Sequence, residues 1–362
     1  MVKSGQRLTI AHLHVWDKKN KGDLAIVLAV QELLRYNFLK CRIIDFPVDI
    51  LKNGAKKEID KINQCDLIVI GGGGIFYSYF LPYDLSVIAA LQKPIIIFGA
   101  GYIKEIGAQN LNQKAVKSVI ALAKKSCAIG VRDFKTKEFL VKNGVNAVKV
   151  KVVGDPAALL IEKKPGLITL KKLALNKNNK KIKIGLNLNY SGWLGFGKWR
   201  DDILTAYREV TQYFLKEYNG LGGPGVEIYY LKHHPGENNI YPELKIKNLK
   251  VVDLKPAEQK YVYGQLDLVI GMMLHSGVLA FGAETPEISV AYDLRNYSFA
   301  EFIKCSELVV DLDKLKKGEL LDRTKNIFQK RRSYQQKFQK TKQEISEKQN
   351  NFLKNLYAQC GR

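Results

Sequence analysis

The stretch LDLVIGMMLHSGVLAFGAETPEISVAYD, from Leu266 to Asp293, leaves the chain few folds to choose from. Leu268–Gly271 is a short apolar run with no polar alternation. Val278, Leu279 and Phe281 then fall at helical spacing, and Ile288–Tyr292 is a second apolar run after Gly282 and Pro286. A strand with no polar face is buried on both sides, the condition of a parallel sheet, and the next parallel strand is reached through a crossover helix. The segment predicts a βαβ unit. In open α/β sheets ligands gather at the carboxyl ends of the strands, where helix N-termini present unpaired N–H groups and a positive dipole. Leu274, His275 and Ser276 lie at that edge, although a histidine in such a corner can also be satisfied by its neighbours.

The same alternation runs through the chain. Strands are predicted at Arg7–Val15, Cys41–Phe46, Cys65–Ile70, Pro94–Phe98, Ile129–Arg132 and Val148–Val153, with helices after Asp23 and over Lys114–Lys125. Leu24, Ile26, Val27, Val30, Leu33 and Leu34 give the first helix its apolar face, and Asp23 is its expected cap. Four glycines, Gly71–Gly74, follow the third strand. So much backbone freedom is costly, and a loop approached closely by a ligand is the favoured reading. It is neither a P-loop nor a dinucleotide fingerprint, since no Lys and hydroxyl pair follows and no acidic residue closes a second strand. His12 and His14 share one face of the first strand. With no third ligand in reach by sequence, packing is expected there and no metal site is assigned.

From Ile161 to Lys181 the composition turns lysine- and asparagine-rich and reads as a solvated linker. Strands resume at Ile182–Leu188, Val226–Leu231 and Leu249–Val252, with an amphipathic helix over Asp202–Tyr218. The loop SGWLGFGKWRDD offers Trp193, Phe196 and Trp199 with Lys198 and Arg200, a mixture suited to a sugar ring beside a charge or to a small apolar cluster. Lys232, His233 and His234 form a polar cluster at another strand end. Beyond Asp311 the chain is helical and basic, with apolar Leu320, Ile327, Phe328, Phe338 and Ile345 at intervals. The division expected is two α/β, Rossmann-like domains over 1–165 and 182–310, then a basic helical segment over 311–362.

Charge narrows the partners. With 58 Lys and Arg against 35 Asp and Glu, the formal charge of +23 favours anionic partners, whether nucleic acid, an anionic membrane surface or a phosphorylated substrate. The five cysteines are scattered and odd in number, so buried thiols and a reducing cytoplasm are expected rather than disulfides. No stretch reaches the roughly 20 apolar residues of a membrane span.

The segment first described resembles the signature of the polysaccharide pyruvyl transferase family, D-x-x-[IV]-[GS]-x-R-L-H-S-x-x-x-A followed by G-x-P-x-I-x-x-x-Y-x-x-K. It matches at Asp267, Ile270, Gly271, Leu274, His275, Ser276, Ala280, Pro286, Ile288 and Tyr292. Met273 stands where the family usually has Arg, Glu284 where it has Gly and Arg295 where it has Lys. Five further elements resemble the family in order: Asn20, Gly22 and Asp23; Asp66–Phe76; Gly99–Tyr102, with Tyr102 replacing an aliphatic residue; Arg132, Asp133 and Thr136; and Asp155, Pro156 and Ala157.

The resemblance implies a GT-B-like arrangement of two Rossmann-like domains facing a cleft. It also implies transfer of a carboxyethylidene unit from phosphoenolpyruvate, a donor substrate needing no cofactor, to hydroxyls of a surface glycan or its lipid-linked precursor. His275 is then the general acid, its ordinary pKa lying near neutrality. Arg132, Lys198, Arg200, Lys232 and Arg295 are the cations for carboxylate and phosphate, and Asn20, Asp23, Gly72, Gly73, Gly74, His234 and Ser276 complete the candidate substrate site. A glycan acceptor is the expected partner and nucleic acid is not expected; the basic C-terminal segment is either a solvated helix face, the commoner case, or a contact for an anionic membrane surface on its cytoplasmic side. The loss of arginine at Met273 keeps two alternatives open: a GT-B glycosyltransferase using a nucleotide sugar, and a non-catalytic glycan-binding relative.

Overall fold

The computed structural model describes residues 7–104, 109–175, 180–189, 197–220, 222–356 and 360. The chain divides into two compact units. The first is built from residues 1–18, 26–157 and 343–362, the second from 19–25 and 158–342.

Unit one is a six-stranded parallel sheet formed by β1 (Thr9–His14), β2 (Arg42–Pro47), β3 (Leu67–Phe76), β4 (Ile95–Tyr102), β5 (Ala128–Val131) and β6 (Val150–Val152), in the order β2-β1-β3-β4-β5-β6. Its central strands are buried along their length, as their apolar runs require. The glycine run is not a loop. Gly71–Gly74 continue β3, with an irregular register against β4 between Gly73 and Phe76. Each glycine has a reason within the chain. A Cβ on Gly71 would stand 1.9 Å from the Phe98 carbonyl oxygen and one on Gly74 2.0 Å from Ile103, while Gly72 and Gly73 have φ of 83° and 106°, left-handed backbone that favours glycine.

Unit two holds the other six parallel strands, β7 (Ile182–Leu186), β8 (Val226–Leu231), β9 (Lys250–Val252), β10 (Leu268–Gly271), β11 (Glu287–Ala291) and β12 (Val309–Asp311), in the order β12-β11-β10-β7-β8-β9. The direction of winding reverses between β7 and β10, and a sheet of this kind opens a crevice beyond the carboxyl ends at such a point. The βαβ unit read from Leu266–Asp293 is β10, the helix Leu274–Gly282 and β11.

Two local expectations are corrected, and two short helices fall where no element was expected. The stretch Ile161–Lys181 is more than solvated chain: Leu167–Lys172 is helical, and Leu170, Leu173 and Leu175 are buried. The short polar helices Ile50–Asn53 and Lys56–Asn63 carry too little apolar periodicity to be read from sequence. Cys127 and Cys360 form a disulfide, their Cα atoms 5.4 Å apart, because the chain from Gln343 onward packs with unit one and returns to the start of β5; Cys41, Cys65 and Cys305 are buried thiols.

The basic C-terminal segment forms the helices Glu319–Gln329 and Arg331–Lys354. Its apolar side chains are spent on the protein's own core. Phe328 meets Phe214 edge-on, Phe338 meets Phe281, and Phe352 stacks on Phe98. An interfacial helix needs that face for the bilayer. Among the described residues, no helix is long and apolar enough to cross a membrane.

Candidate active site

The carboxyl edge of the second sheet, at its reversal between β7 and β10, gathers the residues of the first-read segment. Asn187, immediately after β7, ties three strands together there. Its backbone N–H donates to the Ile270 carbonyl, its Nδ2 to the Leu231 carbonyl at 3.0 Å and to Glu237 at 3.2 Å, and its Oδ1 accepts the Met273 N–H at 3.1 Å. Met273 is thereby held as the residue preceding the helix Leu274–Gly282. His275 sits in the first turn, largely buried.

Gly22, between Asn20 and Asp23 in the chain, meets His275 in the same unit. The helix Lys21–Asn37 is capped not by Asp23 but by Asn20, whose Oδ1 accepts from Gly22 N at 3.0 Å and Asp23 N at 3.4 Å; Asp23 lies within the first turn. A Cβ on Gly22 would stand 2.3 Å from His275 Nδ1, so a glycine here is the condition for the imidazole to lie against this turn. Lys21, which sequence reasoning missed, binds the turn to β8 and β9: its N–H donates to the His233 carbonyl and its Nζ to the Lys232 carbonyl at 2.8 Å, Asp253 at 2.6 Å and Gln259 at 3.1 Å. Lys232 Nζ reaches the other oxygen of Asp253, also at 2.6 Å. Two ammonium groups share one carboxylate, which leaves positive charge for an anion. Burial lowers the Lys21 pKa, with Asp253 acting against that shift.

Arg295 stands at the end of β11. Its Nη2 lies 2.8 Å from Asp293 and 3.4 Å from the Tyr292 hydroxyl, and Asp293 also caps the helix Leu294–Phe302. Burial opposes its charge, yet Asp293 foremost, with Tyr292 and Asp23, raises its pKa. Asp23 therefore belongs electrostatically with Arg295.

Other expected site residues are placed differently. Ser276 is fully buried, accepting from the Tyr263 hydroxyl at 2.9 Å and donating to Glu287 at 2.6 Å; His233 Nε2 meets the Tyr263 hydroxyl at 2.8 Å. Its hydroxyl is committed inside the protein. His234 is partly buried and accepts the Gly236 N–H, starting the short 3-10 helix Pro235–Asn239. Lys198 and Arg200 lie in the first turn of the helix Gly197–Tyr218 rather than on a loop. Lys198 stands over the Trp199 ring, and Arg200 pairs with Glu243 and Asp201. Trp193 and Phe196 fall outside the described residues.

Arg132 and Gly72–Gly74 belong to unit one. Arg132 is buried between Asp133 at 3.3 Å and Asp155 at 3.7 Å, with Gly101 leaving room for its guanidinium. Burial pushes the Asp155 carboxyl up to about 6, with Arg132 holding it back.

A pair of parallel α/β units with this edge geometry defines a GT-B-like protein, and solved structures of that kind match nearly the whole chain. Among them are Anabaena Alr3699/HepE in complex with UDP-glucose (12% identity, 97% of this chain and 100% of that one, TM-score 0.58), UDP-GlcNAc 2-epimerase from Neisseria meningitidis bound to UDP-GlcNAc (10%, 97% and 100%, 0.59) and the S. aureus MnaA–UDP structure (11%, 91% and 90%, 0.57). At such identities the likeness is one of fold. None of the curated proteins matches. The polysaccharide pyruvyl transferase family model matches residues 20–293, and the chain belongs to that family; it is a transferase.

Proposed function

We propose that the protein moves a pyruvyl group from phosphoenolpyruvate to hydroxyls of a sugar in a surface polysaccharide or its lipid-linked precursor. The observation that carries this reading is the His275 ring lying against the Gly22 turn, in the same unit as the Lys21, Lys232 and Asp253 cluster and at the reversal point of the second sheet. Protonated His275 delivers its proton to the methylene carbon of the enol ester, making it a methyl group. The cationic centre left at C2 is attacked by a sugar hydroxyl, and the C–O bond to phosphate breaks. A second hydroxyl closes the ketal; of the two hydroxyl protons, one restores protonated His275 and the other leaves with inorganic phosphate. Lys21, Lys232 and Arg295 meet the donor's negative charge in the role that the arginine absent at Met273 would fill.

The test is transfer activity of His275→Ala and Gly22→Ala beside equilibrium binding of phosphoenolpyruvate. His275→Ala should lose about a hundred- to ten-thousandfold in rate with its fold retained. Gly22→Ala, which must displace the ring, should lose activity in the same direction. Full activity in the alanine variant at 275 overturns the assignment. A second reading, a nucleotide-sugar enzyme, is favoured by the UDP and UDP-sugar bound in the structural neighbours. Calorimetric binding of UDP-glucose or UDP-GlcNAc, with none of phosphoenolpyruvate, would replace the first reading by the second.

A further inference from the structure

His12, His14 and Asp45 converge in unit one. β1 and β2 are parallel, and their register sets His12 opposite Asp45, while His12 and His14 project from the same face of β1. The third ligand missing from the local sequence is thus supplied by the neighbouring strand.

The hydrogen bonds fix which nitrogen each ring presents. His12 Nε2 lies 3.2 Å from the Gly71 carbonyl and His14 Nδ1 2.7 Å from the Val15 carbonyl. A carbonyl only accepts, so both of these nitrogens carry hydrogens and the other two face inward. His14 Nε2 is 3.2 Å from Asp45 Oδ1, and His12 Nδ1 is 3.8 Å from the same oxygen. For neutral rings that brings two nitrogen lone pairs onto one carboxylate oxygen, an arrangement that repels unless something positive lies between. A proton on His14 satisfies one contact only. It leaves His12 Nδ1, fully buried and without a hydrogen bond, still facing the carboxylate.

We propose that these three side chains bind a divalent transition-metal ion, zinc being the one their two imidazoles and single carboxylate suit best, through His12 Nδ1, His14 Nε2 and Asp45 Oδ1. All three ligand atoms lie within 4.8 Å of one another, and donors around a tetrahedral zinc at about 2.0–2.2 Å stand roughly 3.3 Å apart. Each imidazole already donates its far N–H to a backbone carbonyl, the support that orients metal-ligating histidines, and Gln31 Nε2 steadies Asp45 Oδ1 at 2.7 Å. Burial holds His12 neutral, its pKa lowered to about 3, in the state that ligates. Asp45, with a side chain 41% exposed, gives the ion a way in, and the Trp16 ring stacks on His14 at 5.2 Å. Arg35 is the nearby cation that acts against the site.

The experiment uses the full chain, stripped with a chelator and titrated with Zn2+ by calorimetry and with Co2+ by absorption. One equivalent should bind, and Co2+ should show the intense visible bands of a four-coordinate site. His14→Ala and Asp45→Asn should each weaken binding at least about tenfold. Asp45 is half exposed and its asparagine keeps an acceptor for Gln31, so that variant tests the site without a buried substitution. Absence of stoichiometric binding, or binding unchanged in both variants, overturns the proposal. Imidazole nitrogen NMR showing His14 doubly protonated at pH 8 in metal-supplemented protein overturns it as well. None of these outcomes depends on pyruvyl transfer.

Discussion

At the scale of single residues, the family motifs prove to be answers to local geometry. Gly22 leaves space for the imidazole of a residue more than 250 positions away, which no local spacing could reveal. His275 itself was legible because strand, corner and helix all fall within one short stretch. Lys21, Asn187 and Asp253 were not, since their importance lies in which strand ends they join. Glu284 illustrates the opposite case. It stands where the family usually has Gly, and its φ of 63° is left-handed. A side chain there costs about 1–2 kcal/mol, offset by an ion pair with Lys342 of the kind that contributes at most about 1 kcal/mol. Glu284→Gly should therefore raise the unfolding free energy by up to about 1 kcal/mol in denaturant titration. A fall would show that the Lys342 pair dominates.

Among the elements, strand existence was readable from apolar runs, whereas strand extent was not. β3 runs on through four glycines because β4 crowds Gly71, Ile103 crowds Gly74, and Gly72 and Gly73 take left-handed backbone, constraints that arise only after the strands pair. The turn after β8 shows what a buried acid contributes. Glu237 accepts from the His233 and His234 N–H groups, from Asn187 and from the Tyr230 hydroxyl. Burial outweighs these bonds and pushes its pKa from 4.5 up to about 7. The native carboxyl thus keeps its proton while the unfolded one ionises, so its stabilising contribution is complete below about 4.5 and is lost as pH rises to about 7, on the order of 3 kcal/mol. Comparing unfolding free energies between pH 4.5 and 7.5 should give a flatter profile for Glu237→Gln than for the parent. Parallel profiles would mean that the native carboxyl ionises normally.

For the whole molecule, two α/β units were legible because alternating strands and helices repeat along the chain, but the assignment of segments to units was not. Residues 19–25 cluster with the second unit and residues 343–362 with the first. Lys180 and Lys181 are exposed, whereas Leu173 just before them is buried and receives a hydrogen bond from the Tyr229 hydroxyl. Trypsin should nick at these lysines, and once the Cys127–Cys360 bridge is reduced the two pieces should still elute together on native gel filtration; separation would show that this packing is too weak to hold them. The return of the C-terminal helix carries a consequence for biosynthesis. Phe352 covers Phe98 and packs beside Gly130 in the middle of the first sheet, so the first unit cannot close when its last strand leaves the ribosome. It must wait for the whole second unit to be translated, roughly ten to forty seconds at ordinary synthesis rates. Throughout that interval an apolar sheet face is open to chaperones, and a chain ending at Lys342 would never cover it.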